Sequence, residues 1–257
     1  MKKNLQALLL LIHYWFPVAL GWSITAVLHR ATGMPILASG LHLYLLSILG
    51  AYSFDRILDN DDPSRPLWLK FTLWAGLLTA AVLGSILAFQ ESLQTLSTLA
   101  VFSFLTLFYS RLKKFPLIKF LLVSIVWVWA GVALPFDNQH WFAWQFWTMQ
   151  TSAPLVLVIA CGCILCDFKD IDSDAIKDVQ SLPVILGSQN TIIITSVLLA
   201  LTAYISYLDN RPGVLISSLI LIGLAQFPKL LSTDAIGPLV VDMVLVIPGF
   251  LIVSRLI

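Results

Sequence analysis

Nine of the chain's 14 acidic residues fall in two short segments. Asp55, Asp59, Asp61 and Asp62 form the first, and Asp167, Asp170, Asp172, Asp174 and Asp178 the second. Asp55 and Asp59 are spaced i, i+4, as are Asp170 and Asp174, while Asp167 and Asp170 are i, i+3. On a helix each set lines one face, where like charges repel by roughly a few tenths of a kcal/mol. A cation is therefore expected between them. Carboxylates without imidazole or thiolate suit a hard ion, and Mg²⁺ takes one or two carboxylates together with phosphate oxygens. The spacing predicts a Mg²⁺–diphosphate site with Asp55, Asp59, Asp167, Asp170 and Asp174 as metal ligands. Among these, Asp55, Asp59, Asp170 and Asp174 are the expected catalytic carboxylates. Nearby Arg56, Arg65, Arg111, Lys113, Lys114, Lys119 and Lys169 offer donors for the remaining phosphate oxygens. Asp61, Asp62, Asp172 and Asp178 break the spacing and read as solvated. One DxxxD pair alone would read as solvated surface; two pairs on one side of an otherwise acid-poor chain favour a metal site.

The elements that must position these residues are apolar helices. Of 257 residues, 59% are hydrophobic and 11% charged, and the mean hydropathy is +0.91. A soluble domain would be about one-quarter charged, so the solvent of this surface must be lipid. A helix needs about 20 apolar residues to cross the hydrocarbon core. The pattern predicts about nine spans, at 6–29, 34–54, 67–89, 92–110, 116–135, 147–166, 189–208, 213–230 and 236–254. They form one all-α integral membrane domain over 1–257. Turn signals such as Ala31-Thr32-Gly33, Asp62-Pro63-Ser64 and Asp209-Asn210-Arg211-Pro212-Gly213 punctuate them. No strand alternation persists, which argues against a β-barrel. Met1-Lys2-Lys3 and the run after it are expected to be a first span rather than a cleaved leader.

Charge asymmetry sets the expected orientation. With the N-terminus in the cytoplasm, 12 of the 15 basic residues lie on the inner side, against Arg30, Arg211 and Arg255 outside. Both acidic segments then lie at the cytoplasmic ends of spans two and six. Net charge is only +1, so bulk electrostatics implies no nucleic-acid partner.

At these residues the chain resembles the UbiA-type intramembrane prenyltransferases. Tyr52-Ser-Phe-Asp55-Arg56-Ile-Leu-Asp59, followed by Ser64-Arg65-Pro66-Leu67, is similar to that family's NxxxDxxxD motif with its trailing Arg-Pro. Asp167-Phe-Lys-Asp170-Ile-Asp-Ser-Asp174, then Ser181-Leu-Pro-Val-Ile-Leu-Gly187, is similar to its DxxDxxxD motif and the TLPVxLG run behind it. Tyr109-Ser110 with Lys113, Lys114 and Lys119 resembles the basic loop after the fourth helix. The resemblance implies Mg²⁺-dependent transfer of a prenyl group from a polyprenyl diphosphate to a lipophilic, often aromatic, acceptor. It implies diphosphate binding by Arg56, Arg65, Tyr109, Lys113, Lys119 and Lys169, and an apolar tunnel for the isoprenoid tail. The family pattern is departed from at Ala51, where the motif usually has Asn, at Ser181 for Thr, and at Ser173 and Lys177, where Gly is common.

Two other functions compete. A divergent relative serving as a membrane scaffold or assembly factor is favoured by Ala51. A cation transporter would need polar residues through most spans, and these spans are nearly free of charge. Cys161, Cys163 and Cys166 read as soft packing residues rather than a metal or disulfide set. His13 and His42 are expected to be neutral and hydrogen-bonded against neighbouring helices. Asp242 is expected to face the bundle interior, touching the acceptor or a lysine, or protonated. Pro17, Pro35 and Pro248 are expected to kink their helices.

Overall fold

The computed structural model describes residues 2–58, 66–112, 114–115, 117–136 and 152–255, with side chains from residue 8 onward except Ser110. Within them the fold is helical: α1 (Lys2–Thr32), α2 (Ala38–Leu58), α3 (Leu67–Ala88), α4 (Leu93–Leu112), α5 (Ile118–Ala133), α6 (Ala153–Cys166), α7 (Ile171–Ile176), α8 (Leu182–Leu208), α9 (Pro212–Ala225), α10 (Pro228–Leu231) and α11 (Ile236–Val253). An isolated bridge, Ile36 to Phe136, ties the α1–α2 turn to the end of α5.

Four stretches, Leu8–Thr32, Leu67–Ala88, Leu182–Leu208 and Ile236–Val253, are long and apolar enough to cross a membrane. Their outward faces agree with lipid as solvent. Phe71, Trp74, Leu78 and Val82 are exposed in a row along α3, and Ile193, Val197, Leu201 and Leu208 along α8. In water such stripes would drive aggregation; in a bilayer they need no cover. The chain is an integral membrane protein. Helix α6 is apolar all round and accordingly central: Leu155, Val158, Ile159, Cys161, Ile164 and Leu165 are all buried.

Where lipid replaces water, each freed backbone group needs a protein partner. Pro248 lies inside α11 and has no N–H for the carbonyl of Val244, one turn back. The Ser217 hydroxyl of α9 donates to that oxygen at 2.8 Å. On the other side, the Gly249 N–H donates to Ser23 Oγ of α1 at 2.9 Å. A Cβ on Gly249 would lie 2.5 Å from the Ser23 Cα, so only glycine lets α1 and α11 meet this closely. In the same way Gly76 of α3 meets Ser53 of α2, where a Cβ would come within 2.8 Å of the hydroxyl.

Several expectations change. Helix α2 sits four residues later than the expected 34–54, so Asp55 and Arg56 belong to its last turn. Pro35 precedes α2 and kinks nothing. His42 is exposed on the surface of α2 rather than held against a neighbour. Inside α8, Gly187 adopts φ 75°, ψ 160°, a region open essentially to glycine alone. It separates the Leu182–Leu186 turn from the long membrane helix that follows. Gly187→Ala meets no neighbour within 4 Å, so its effect isolates backbone strain. It is expected to lower stability by about 1–3 kcal/mol, read as a fall in thermal midpoint in detergent.

Candidate active site

The second acidic segment is not one continuous helix. After Cys166 the chain tightens into a 3₁₀ turn at Asp167–Lys169. Asp170, at φ −100° and ψ 4°, leaves helical geometry before α7 begins. The turn is closed by the Asp170 N–H on the Asp167 carbonyl at 3.0 Å and the Asp174 N–H on the Asp170 carbonyl at 2.6 Å. The three carboxylates therefore do not sit on one continuous helix, and they differ in burial. Asp167 and Asp174 turn inward and are buried, at 4% and 7% exposure, while Asp170 stays half-buried. Asp172 and Asp178 are exposed, as expected.

Lys119, in the first turn of α5, reaches into this corner. Its ammonium lies 2.8 Å from Asp167 Oδ1 and 2.9 Å from Asp174 Oδ2. The lysine expected to bind phosphate is thus held between two carboxylates, because burial leaves them no solvent to neutralise them. The second oxygen of Asp167, Oδ2, is buried without a hydrogen-bond partner. Burial pushes the Asp167 carboxyl up to about 6 despite the opposing pull of Lys119. Lys169 Nζ stands 3.7 Å from Asp170 Oδ1. Burial, reinforced by the neighbouring Arg56, holds this ammonium below the ordinary lysine range.

The two acidic segments converge on adjoining cavities. The first, of about 150 Å³, is lined by the polar Asp55, Arg56 and Tyr109 and, among others, by Ile48, Ala51, Phe102, Leu105, Val126 and Trp127. The second, of about 130 Å³, is lined by Asp167, Lys169, Asp170, Lys119, His13, Asp242, Cys163 and Cys166, among others. Tyr52, Arg56, Tyr109, Val123 and Trp127 line both. Arg56 and Tyr109 therefore stand where carboxylates from two distant stretches of the chain come together. Arg56 packs its guanidinium 5.2 Å from the Tyr14 ring centroid, and its Nε is buried without a partner. Ala51 puts a methyl group on the wall of the first cavity, at the position where the family motif has Asn.

Asp59, Arg65 and Lys113 lie outside the described residues, as do Asp61 and Asp62. Among the described residues, no three His, Cys, Asp or Glu side chains already form a metal cluster. The donor chemistry still fits a hard divalent ion, since Asp167 Oδ2 is an orphaned carboxylate oxygen on a cavity that Asp170 also lines.

One feature escaped the spacing argument. His13 of α1 and Asp242 of α11 face the second cavity and pair with each other, Nδ1 to Oδ2 at 2.8 Å. Residues 229 positions apart carry no periodic signal; their rarity inside apolar spans was the only clue.

Truncating the clamp is expected to be costly. Lys119→Met leaves Asp167 and Asp174 buried without a counter-charge and should destabilise the protein by about 3–5 kcal/mol. The exposed Lys114→Met should stay within about 0.5 kcal/mol. Thermal unfolding of both variants in one detergent measures the difference.

The UbiA prenyltransferase family model matches residues 54–234. No curated protein matches the chain in sequence. Solved structures that share its fold include the following two. The apo structure of a UbiA homologue from Aeropyrum pernix K1 superposes with a TM-score of 0.65 at 17% identity, covering 95% of this chain and 98% of that one. A digeranylgeranylglyceryl phosphate synthase superposes with a TM-score of 0.53 at 20% identity, covering 98% of each chain.

Proposed function

The chain belongs to the UbiA prenyltransferase family, and on that premise we propose that it transfers a prenyl group from a polyprenyl diphosphate to a lipophilic acceptor within the membrane, with Mg²⁺ as cofactor. The observation that carries the reading is the convergence of Asp55 with Asp167 and Asp170 on cavities sharing Arg56 and Tyr109. Asp55, Asp167 and Asp170 would hold Mg²⁺, joined by Asp59. Bound there, the ion supplies charge neutralisation for the departing diphosphate. Arg56 and Lys169 bind and orient the phosphate oxygens, and Tyr109 donates its hydroxyl to them. Asp174 serves through Lys119, which keeps the corner folded. Phe102, Val126 and Trp127 form an apolar wall along which the isoprenoid lies. That wall excludes water, so an allylic cation formed at the mouth meets the acceptor rather than solvent. Aromatic faces such as Trp127 lower the energy of such a cation. With the N-terminus cytoplasmic and nine spans, this mouth opens on the cytoplasmic side.

A second reading has its own observation. Ala51 lines the first cavity with a methyl group, and Lys119 already neutralises two of the acids. A relative retaining the fold as an assembly scaffold would look alike at these positions.

Turnover separates the two. Purified protein is incubated with Mg²⁺, several prenyl diphosphates and a panel of acceptors, and products are identified by mass spectrometry. An enzyme yields prenylated product. Its turnover then falls by about 100-fold or more in Asp170→Asn and Asp55→Ala and vanishes with EDTA, as loss of a few kcal/mol of charge stabilisation requires. No product from any pairing would favour the scaffold instead.

A further inference from the structure

The His13–Asp242 pair stands apart from the phosphate-facing groups in chemistry but not in space. Both side chains line the cavity that also holds Lys169 and Asp170. His13 is 5% exposed. Its Nδ1 meets Asp242 Oδ2 at 2.8 Å, and its Nε2 is buried with no hydrogen-bond partner. With Asp242 as a carboxylate, which only accepts, the pairing assigns the proton to Nδ1 and a lone pair to Nε2. The lining of this cavity therefore combines cations with an imidazole whose second nitrogen has no partner in the fold. A diphosphate needs donors, and Nε2 of this tautomer donates nothing. Leaving a buried lone pair unmatched is unfavourable, so its natural complement is an X–H group on a second ligand.

Resting on the prenyl-transfer reading above, we propose that His13 is the base for the acceptor, that Asp242 is its positioning residue, and that the acceptor is a lipophilic molecule bearing a hydroxyl. The hydroxyl docks by donating its hydrogen bond to Nε2, which an aromatic C–H does not do. In the transfer, the C1–O bond of the prenyl diphosphate breaks and its electron pair leaves with the diphosphate. The acceptor oxygen forms the new bond to C1, and its proton passes to Nε2. The imidazolium so formed is stabilised by Asp242, as a carboxylate behind an imidazole stabilises it in other base dyads. The product is an ether.

The full-length protein is assayed in detergent with Mg²⁺ and geranylgeranyl diphosphate. The acceptors are a long-chain primary alcohol, a phenol and the methyl ether of that phenol. The expected result is an ether from a hydroxyl acceptor and no product from the methyl ether. His13→Gln and Asp242→Asn are expected to lower kcat by about 100-fold or more, with KM for the diphosphate changed by less than about twofold. Asp242→Asn is the sharper variant. Its amide can donate to Nδ1, which moves the ring proton to Nε2 and removes the lone pair while the contact between α1 and α11 survives. Turnover within about threefold of wild type in either variant overturns the assignment while leaving prenyl transfer standing. So does a carbon-prenylated product. A joint loss of thermal stability, diphosphate binding and turnover also overturns it, since the pair would then be a helix clamp. Absence of any product from the wild-type protein removes the prenyl-transfer reading, and this assignment with it.

Discussion

Two carboxylates at the foot of a membrane helix have little water to neutralise them, and in this chain a single ammonium does so. Lys119 lies between Asp167 and Asp174 at under 3 Å from each. The contact joins the first turn of α5 to the corner after α6, and α5 carries Val123, Val126 and Trp127 on the cavity walls. The corner cannot move away from α5 without exposing a buried charge of one sign, a change costing several kcal/mol. The positions of Asp170 and Lys169 follow from that tie. So does the orphaned Asp167 Oδ2, since Lys119 satisfies only the other oxygen.

The same scarcity of water explains how the bundle tolerates its irregularities. Pro248 breaks the hydrogen bonding of α11, and the defect is closed by hydroxyls from two other helices, Ser217 and Ser23. Both serines are fully or almost fully buried. Glycines at the crossings let the backbones approach closely enough for such bonds to form. The local breaks therefore add specific contacts between helices: α1, α9 and α11 are held in register by the repair itself. That register brings His13 to Asp242.

The site is chemically divided. Carboxylates, Arg56 and Lys169 suit a metal-bound anion. The His13–Asp242 pair presents a lone pair, which suits neither a metal-bound phosphate nor a hydrocarbon tail. Aromatic and aliphatic side chains from α2, α4 and α5 line the first cavity beside these regions. A bisubstrate reaction in which one partner loses an anion and the other a proton is served by such a division, with a separate group to receive each charge.

Composition and the placement of Asp and Lys were enough to read an all-helical membrane chain and to single out its two acidic segments, because lipid tolerates few charges and those that remain carry information. The element boundaries were less legible. Helix α2 runs on past Phe54 through Asp55 and Arg56, since a last turn at the membrane edge need not be apolar. The continuous helix that the spacing of Asp167, Asp170 and Asp174 assumes is interrupted for a related reason. The chain tightens into a 3₁₀ turn at Asp167–Lys169, where Asp167 is buried against Lys119, which is distant in sequence. Residue types and their periodicity report the solvent each helix meets. Which side chains touch across helices, Lys119 with two aspartates and His13 with Asp242, depends on how the helices cross. Crossing is settled by glycine approaches and backbone repairs between distant segments, where no local pattern reaches.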